Sequence, residues 1–295
     1  MGKSLIIRSS SSRLPDGDLK SNLGDLVRST VLLNCINDNF LWLTDKKAVK
    51  LLKWFVSPDK IITYDEGINP SLFSFPSELD VYNLDNHIPD SEVYKRIHGN
   101  WHGFIRNGGS GCFPQNDNIA AINSYEESNY KISWQQCLIE GMGFQWNEQD
   151  YAPCTVHGNI SHDIGLNCHV HTDWPSKRWP EKNWKELDTI LSKTYSVSWQ
   201  KGMNDFNEYI SWLSSCRVII TCNTLGLHLA SALRKKVIAI VGPTDGREFP
   251  YNRVSFVKPD SRDCMPCNLP ECKRKADCLS EIDANMVSKA VERII

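Results

Sequence analysis

The sequence predicts an α/β protein with two Rossmann-like domains that face each other across a cleft. Two observations lead to this prediction. Apolar runs of strand length alternate with segments of helical periodicity, and this alternation occurs once near the N-terminus and again after residue 160. The chain also has 295 residues, which is enough for two domains of ordinary size.

The first alternation is a β-α-β-α-β run. Short apolar segments predict strands at residues 4–8 (SLIIR), 40–44 (FLWLT) and 60–63. Helical spacing of the apolar residues predicts the intervening helices at 26–35 and 46–54. Together these elements predict the start of a parallel sheet covered by helices.

The middle of the chain, from about residue 85 to 154, is rich in Asn, Gly, Ser and aromatic residues. Its composition predicts a turn at 107–111, and helical spacing predicts helices at 116–125 and 134–142. We interpret this region as the end of the first domain and the linker.

The second alternation predicts four strands and three helices. The strands are expected at 163–167, 195–199, 217–221 and 236–241, and the helices at 184–193, 204–215 and 227–233. The domain boundaries that follow are 1–154 and 155–295. In open α/β sheets ligands bind at the carboxyl ends of the strands, so the site is expected there.

Composition excludes several classes of protein. A net charge of -2 gives no electrostatic reason to expect a nucleic acid or an anionic membrane as partner. No apolar run approaches the roughly 20 residues of a transmembrane helix, and the N-terminal apolar run is too short for a signal peptide. We therefore expect a soluble, cytoplasmic protein without a transmembrane segment.

A candidate phosphate site follows the third strand of the second alternation. Asn223, Thr224 and Gly226 form a short loop that opens a helix, whose first N–H groups have no partner inside it. Gly226 allows a tight turn or the approach of a ligand to the backbone. The next strand runs into Gly242-Pro243-Thr244, a second loop at a carboxyl edge. Ordinary turns with Thr224 as a helix N-cap are the alternative.

Several dispersed motifs resemble glycosyltransferase family 9, which contains the ADP-heptose heptosyltransferases. They are LGDLVRSTVLL from Leu23, SWQQCLIEGMG from Ser133, GLN…PSKRWPEKNWKEL from Gly165, NEYISWLSSC from Asn207, NTLGLHLASAL from Asn223 and VIAIVGPTDGREFPY from Val237. Their order and spacing fit the family. The resemblance implies the GT-B fold, with an N-terminal acceptor domain and a C-terminal nucleotide-sugar donor domain.

The resemblance also implies a reaction. An inverting enzyme would move a sugar, with heptose the best match, from an ADP-sugar to an acceptor hydroxyl, without a metal ion in catalysis. Asp25 matches the family's general base, although a helix N-cap is the alternative for this residue. Lys177 matches the lysine that contacts the donor diphosphate and offsets its charge. The acceptor stays open between a glycan core, a protein and a small metabolite.

Ten residues form the expected donor-binding set. They are Lys177, Arg178, Asn223, Thr224, Leu225, Gly226, His228, Gly242, Pro243 and Thr244. Arg178 either shares the phosphate or is a solvated charge, and His228 either contacts phosphate or caps the turn.

Two features depart from the family. Asn223 stands where members commonly carry Asp, and the polar insert at 9–22 either shapes the acceptor pocket or forms a disordered surface loop. These departures support an alternative function, a catalytically inactive nucleotide-binding homologue that acts as a scaffold or regulator.

Four of the eleven cysteines, Cys264, Cys267, Cys272 and Cys278, fall close together in a loop at 264–278. Four clustered thiolates suit a tetrahedral iron or zinc site with no open position, so the metal is expected to be structural. Free or disulfide-linked thiols are the alternative, and net charge disfavours a nucleic-acid-binding finger.

The resemblance extends to this loop. A branch of the family carries a C-x-P-C finger with bound iron, and Cys264-Met265-Pro266-Cys267 fits that pattern. In that branch the loop serves assembly or acceptor binding, which allows a homo-oligomer. The other seven cysteines are interpreted as small buried hydrophobic residues.

Overall fold

A computed structural model describes residues 3–13, 19–21, 23–64, 79–87, 95–106, 112–124, 132–156, 158–203, 205–244, 246, 250–260, 262–274 and 277–295. The chain divides into two compact units, Met1–Ala152 and Pro153–Ile295. Each unit is described by itself below.

Eight strands are described in the first unit. They are β1 (Lys3–Ile7), β2 (Ser11–Arg13), β3 (Leu19–Ser21), β4 (Phe40–Thr44), β5 (Ile61–Thr63), β6 (Leu79–Asn83), β7 (Asn100–Arg106) and β8 (Cys112–Pro114). Six of them form a sheet in the order β5-β4-β1-β6-β7-β8, parallel except for the antiparallel pair β7–β8. Strands β2 and β3 pair with each other in antiparallel fashion.

Strand β1 lies in the centre of this sheet because its sequence suits burial on both faces. Leu5, Ile6 and Ile7 are fully buried. A strand covered on both faces reads as a continuous apolar run, which is what these residues form. Arg8 directly follows β1 and therefore lies at the carboxyl edge of the sheet.

The described helices of the first unit are α1 (Leu23–Ser29), α2 (Lys46–Leu52), α3 (Asp117–Ser124) and α4 (Trp134–Gly141). Side-chain caps fix two of their starts: Asp45 accepts from the backbone N–H groups of Lys47 and Ala48, and Ser133 accepts from that of Gln136. The single helix predicted at 26–35 is divided in the structure, because α1 begins earlier and continues as the 3-10 helix Thr30–Asn34.

The second unit contains a five-stranded parallel sheet in its described part. Its strands are β9 (His162–Asn167), β10 (Val197–Trp199), β11 (Cys216–Cys222), β12 (Lys236–Ile240) and β13 (Val254–Val257), in the order β10-β9-β11-β12-β13. The helices are α5 (Glu181–Leu191), α6 (Phe206–Ser215), α7 (Leu225–Ala232) and α8 (Ala284–Glu292). Helices α5 and α8 pack together through apolar side chains such as Leu187 and Val287.

The two sheets confirm the predicted α/β class, and most predicted strands and helices appear within a few residues of their expected bounds. Strands β6, β7, β8 and β13 and helix α8 were not predicted. A disordered loop at 9–22 is the wrong interpretation for residues 11–13 and 19–21, which form β2 and β3. The turn predicted at 107–111 lies outside the described residues. Among the described helices, none is long and apolar enough to cross a membrane.

Candidate functional site

The residues predicted to bind the donor lie in three loops at the carboxyl edge of the second sheet. Residues 223–224 follow β11, residues 241–244 follow β12, and residues 168–180 follow β9. Parallel strands end at the same edge, so these loops are neighbours although they are far apart in sequence.

Asn223 joins the loops after β11 and β12. Its Nδ2 donates to Thr244 Oγ1 at 2.9 Å, and both side chains are buried. The uncharged amide of Asn223 thus has a structural role, since it links two buried loops. A buried donor left without this acceptor would be costly.

Thr224 is the N-cap of α7, which was one of the two roles that the sequence allowed for this residue. Thr224 Oγ1 accepts from the Gly226 N–H at 3.3 Å. A Cβ on Gly226 would lie 2.2 Å from Asn167 Nδ2 and 2.6 Å from Tyr209 Oη. Glycine is therefore required here by the packing of this chain itself, rather than by a left-handed turn.

Asn167 and Tyr209 form a buried polar network beneath that glycine. Tyr209 Oη donates to Asn167 Oδ1 at 2.9 Å, and Asn167 Nδ2 donates to Thr221 Oγ1 at 2.7 Å. Burial raises the pKa of Tyr209, so its hydroxyl stays a donor. This network fixes α7 against the ends of β9 and β11.

Lys177 and Arg178 lie in and just after the 3-10 helix Pro175–Lys177. The Lys177 ammonium lies 4.2 Å from the centroid of the Trp174 ring, and Arg178 is exposed. Within the described part of the chain, neither cation pairs with a carboxylate. Both charges are consequently available to an anion.

Lys177 is close to the end of β11. Burial raises the pKa of the Cys222 thiol to about 12, and the nearby Lys177 charge opposes that rise. The Trp179 backbone makes a hydrogen bond to the Cys222 thiol, and Cys222 is the last residue of β11. The structure thus brings the loop that contains Lys177 to the end of β11, where the loop that contains Asn223 begins.

His228 and Leu225 lie in α7. His228 is buried, with 5% of its surface exposed, whereas Leu225 is half-buried. The N-cap residue of this helix is Thr224.

The four clustered cysteines differ in their exposure. Cys278 is buried, Cys264 and Cys267 are half-buried, and Cys272 is exposed. Among the described residues, which include all four, no group of three His, Cys, Asp or Glu side chains is arranged to hold a metal ion. The predicted four-sulfur site is therefore not shown.

Of the seven scattered cysteines, four are buried and three half-buried, as expected for small apolar side chains. All eleven cysteines lie in the described part of the chain, and none of them forms a disulfide there.

Asp25 lies in the first unit, in the first turn of α1. The helix begins at Leu23, so the alternative of Asp25 as an N-cap is wrong. Its carboxylate instead contacts two guanidinium groups: Arg28 Nη1 lies 2.9 Å from Oδ1, and Arg8 Nη2 lies 3.6 Å from Oδ2. With 22% of its side chain exposed, Asp25 is reachable by solvent while held in place.

The Arg8 guanidinium also contacts groups at the end of β6. Its Nη1 donates to the Leu84 carbonyl at 2.8 Å and lies 3.4 Å from Asp85 Oδ1. The Ser9 N–H donates to Asp85 Oδ2 at 2.8 Å. Arg8 directly follows β1, and Asp85 lies just beyond β6, its neighbour in the sheet. Sequence analysis missed both residues, although a charged residue directly after a buried strand was the available signal.

No protein-family model matches the sequence, and no curated protein matches it significantly. Solved structures do match it. The Escherichia coli heptosyltransferase WaaC with ADP-2-deoxy-2-fluoro heptose has a TM-score of 0.59 at 16% identity, covering 99% of this chain and 100% of that chain. A family 9 glycosyl transferase from Veillonella parvula has a TM-score of 0.63 at 12% identity, covering 99% and 96%.

A third match is the iron-containing dodecameric glycosyltransferase TibC from enterotoxigenic E. coli. Its TM-score is 0.59 at 13% identity, and the match covers 99% of this chain and 76% of that chain. At such identities the similarity concerns the fold. This chain therefore has the α/β fold of the glycosyltransferases to which the heptosyltransferases WaaC and TibC belong.

Proposed function

We propose that this protein is an inverting glycosyltransferase that moves a sugar, heptose by preference, from an ADP-sugar to an acceptor hydroxyl. Proteins of the same fold have been solved with such donors: WaaC with an ADP-fluoroheptose and TibC with ADP-D-beta-D-heptose. The fold match with WaaC covers 99% of this chain and 100% of that chain, so it includes both compact units.

The position of Asp25 is the observation on which the proposal rests. A general base must reach the proton that it removes and must be held in a productive geometry. Two features support this role for Asp25: its carboxylate is partly exposed, and it is held by Arg8 and Arg28. In the proposed step, Asp25 takes the proton of the acceptor hydroxyl. The acceptor oxygen then bonds to the anomeric carbon from the face opposite the diphosphate.

The bond between the anomeric carbon and the diphosphate oxygen breaks in the same step, and its electron pair leaves with ADP. Charge then builds on the diphosphate, so cations and N–H groups nearby lower the barrier. Lys177, with Arg178 beside it, supplies positive charge without a carboxylate partner in the described structure. The loops at 223–226 and 242–244 supply backbone groups at the same sheet edge. This chemistry requires no divalent ion.

Nucleotide preference and turnover test the proposal. Thermal shifts should favour ADP over UDP and GDP, and the purified protein should release ADP from ADP-heptose, with water or an added acceptor as the nucleophile. Asp25→Ala should abolish this release and leave the ADP dissociation constant unchanged. Asp38→Ala is the matched control, because Asp38 is 97% exposed.

Unchanged turnover in Asp25→Ala would exclude this residue as the base. Tight ADP binding without turnover by the unaltered protein would instead support the inactive nucleotide-binding homologue. Preferential stabilisation by a uridine nucleotide would overturn the choice of donor.

Metal binding by the four cysteines stays a proposal. TibC, which shares the fold, is described as iron-containing, and the cysteine spacing suits one tetrahedral ion. Elemental analysis after anaerobic purification should find about one iron or zinc per chain, and this content should fall in Cys272→Ser. Metal-free protein with full ADP affinity would reject the proposal.

The acceptor is proposed to be a glycan core, a protein or a small metabolite. Mass spectrometry of candidate acceptors incubated with ADP-heptose distinguishes these three classes. TibC is described as dodecameric. Light scattering of the purified chain tests whether it too forms a homo-oligomer.

A further inference from the structure

We infer that the cysteine loop, residues 264–278, positions the donor-binding loops, so that nucleotide affinity depends on main-chain contacts within it. The inference rests on the proposed function, because it concerns the same donor site. It assigns the loop a role that needs no metal ion.

The cysteine loop contacts the loop that follows β12. The Asn268 N–H donates to the Pro243 carbonyl at 2.8 Å. Asn268 adopts a φ of 50°, a left-handed conformation that Asn and Gly tolerate and β-branched residues resist. A residue that cannot adopt this conformation would move its N–H away from Pro243.

The next two residues contact the loop that contains Lys177. Ser176 Oγ donates to the Leu269 carbonyl at 2.6 Å, and the Ser176 N–H donates to the Pro270 carbonyl at 2.9 Å. Ser176 is 5% exposed and immediately precedes Lys177. The position of the Lys177 backbone is therefore tied to the cysteine loop by two hydrogen bonds at the adjacent residue.

These contacts connect two loops that follow strands that are not neighbours in the sheet. The Lys177 loop follows β9 and residues 242–244 follow β12, while β11 lies between those two strands. Asn223 already links the loop after β11 to Thr244. Residues 268–270 add a direct connection across β11, and they thereby set the spacing between the Lys177 cation and the backbone groups at 242–244.

The C-terminal end of the cysteine loop packs against the same two loops. A Cβ on Gly242 would lie 2.7 Å from Cys278 Sγ and 2.8 Å from Leu279 Cδ2, so the end of the loop packs directly on the chain after β12. Beyond it, the Ile282 carbonyl accepts from Trp179 Nε1 at 2.8 Å and from Asn183 Nδ2 at 2.9 Å. The segment after Lys177 is thus held by the segment after Cys278.

Substitutions at Asn268 and Ser176 test the inference in the full chain. Asn268→Val should weaken ADP binding about tenfold, because a β-branched residue opposes the left-handed φ and breaks the bond to Pro243. Asn268→Gly should restore affinity to within about twofold, because glycine adopts this φ readily. Ser176→Ala removes one of two hydrogen bonds and should weaken ADP binding about threefold. Calorimetry gives the dissociation constants, and thermal melts establish that each variant is folded.

Amide hydrogen exchange of Ser176 in the nucleotide-free protein provides a readout that does not depend on ADP. Its N–H bonds to Pro270, so exchange should accelerate in Asn268→Val and not in Asn268→Gly. Should Asn268→Val fail to fold, Ser176→Ala provides the same comparison.

The outcomes separate this inference from the proposed function. An unaltered protein that does not bind ADP contradicts the proposed function, and the Ser176 exchange rates then decide the positioning role alone. An unaltered protein that binds ADP, with folded Asn268→Val and Ser176→Ala variants of equal affinity, overturns the inference and leaves the proposed function standing. Equal losses in Asn268→Val and Asn268→Gly also overturn it, since glycine preserves the main-chain link.

Discussion

Arg8 and Asp85 form an ion pair at the carboxyl edge of the first sheet, with 3.4 Å between Arg8 Nη1 and Asp85 Oδ1 and only 3% of either side chain exposed. The same guanidinium lies 3.6 Å from Asp25 through Nη2. Arg8 consequently connects a buried carboxylate to the proposed general base, and the protonation of Asp85 bears on both.

Asp85 should make the stability of the protein depend on pH. Burial raises the pKa of Asp85 from 3.8 to about 6, although Arg8 and Ser9 oppose that rise. The folded state therefore holds the proton more tightly than the unfolded state. The Asp85 contribution to the free energy of unfolding is present below about pH 4, falls as pH rises to about 6 and is lost above that. Two pKa units correspond to about 3 kcal/mol.

Urea denaturation of the unaltered protein and of Asp85→Asn, at half-unit intervals from pH 4 to 7, measures this contribution. The difference in unfolding free energy between the two proteins should change between about pH 4 and pH 6 and become constant between about pH 6 and pH 7. Asp38→Asn, an exposed control, should show no such change. A constant difference between the unaltered protein and Asp85→Asn would contradict the raised pKa.

Arg28→Met should slow sugar transfer without weakening ADP binding. Arg28 Nη1 lies 2.9 Å from Asp25 Oδ1, and its guanidinium stacks 4.3 Å from the centroid of the Trp134 ring. Methionine preserves apolar packing on the ring and removes the hydrogen bond, so Asp25 loses its closest restraint. A displacement of about 1 Å in a reacting group costs up to about a hundredfold in rate.

Steady-state kinetics with ADP-heptose should show this loss in kcat, with the donor KM little changed because Arg28 belongs to the first unit. Arg28→Lys, which preserves a cation beside Asp25, should recover part of the rate. Full activity in Arg28→Met would show that Arg28 does not position the base.

Gly226→Ala should destabilise the second unit. The added Cβ would lie 2.2 Å from Asn167 Nδ2 and 2.6 Å from Tyr209 Oη, both of which belong to a buried network. Overpacking of this kind costs about 1–3 kcal/mol. Gly158→Ala is the control, because its nearest atom, Ser214 Oγ, lies 3.3 Å away. Chemical denaturation that ranks the two variants equally would refute the packing explanation for this glycine.

Thr244→Val should also destabilise the second unit and weaken ADP binding. The substitution removes the oxygen that accepts from Asn223 Nδ2 at 2.9 Å, which leaves a buried amide without that partner. Such a loss costs about 1–3 kcal/mol. Thr244→Ser preserves the hydroxyl and should behave nearly as the unaltered protein does in denaturant melts and ADP titrations. Identical stabilities of the Val and Ser variants would rule out the loop-to-loop link.

Local patterns were sufficient for much of the fold. The apolar runs of β1 and β11 predict strands that are buried on both faces. The strand–loop–helix sequence around Thr224 predicts this residue as the N-cap of the helix. Strands β6, β7 and β8 escaped prediction because polar and aromatic residues interrupt their apolar pattern. Strand β13 has only four residues, too few to establish a period.

Some features of the candidate site could likewise be predicted from the sequence, and others could not. The sequence by itself determined which residues follow the strands of the second sheet, because strand, loop and helix are consecutive and each has a local signal. Only the tertiary structure decided that Arg8 meets Asp85 and that residues 268–270 join the loops of Lys177 and Pro243. These relationships depend on strand order and loop course. Hydrophobic periodicity reports burial along the chain, and it contains no information about which distant segment lies next to which.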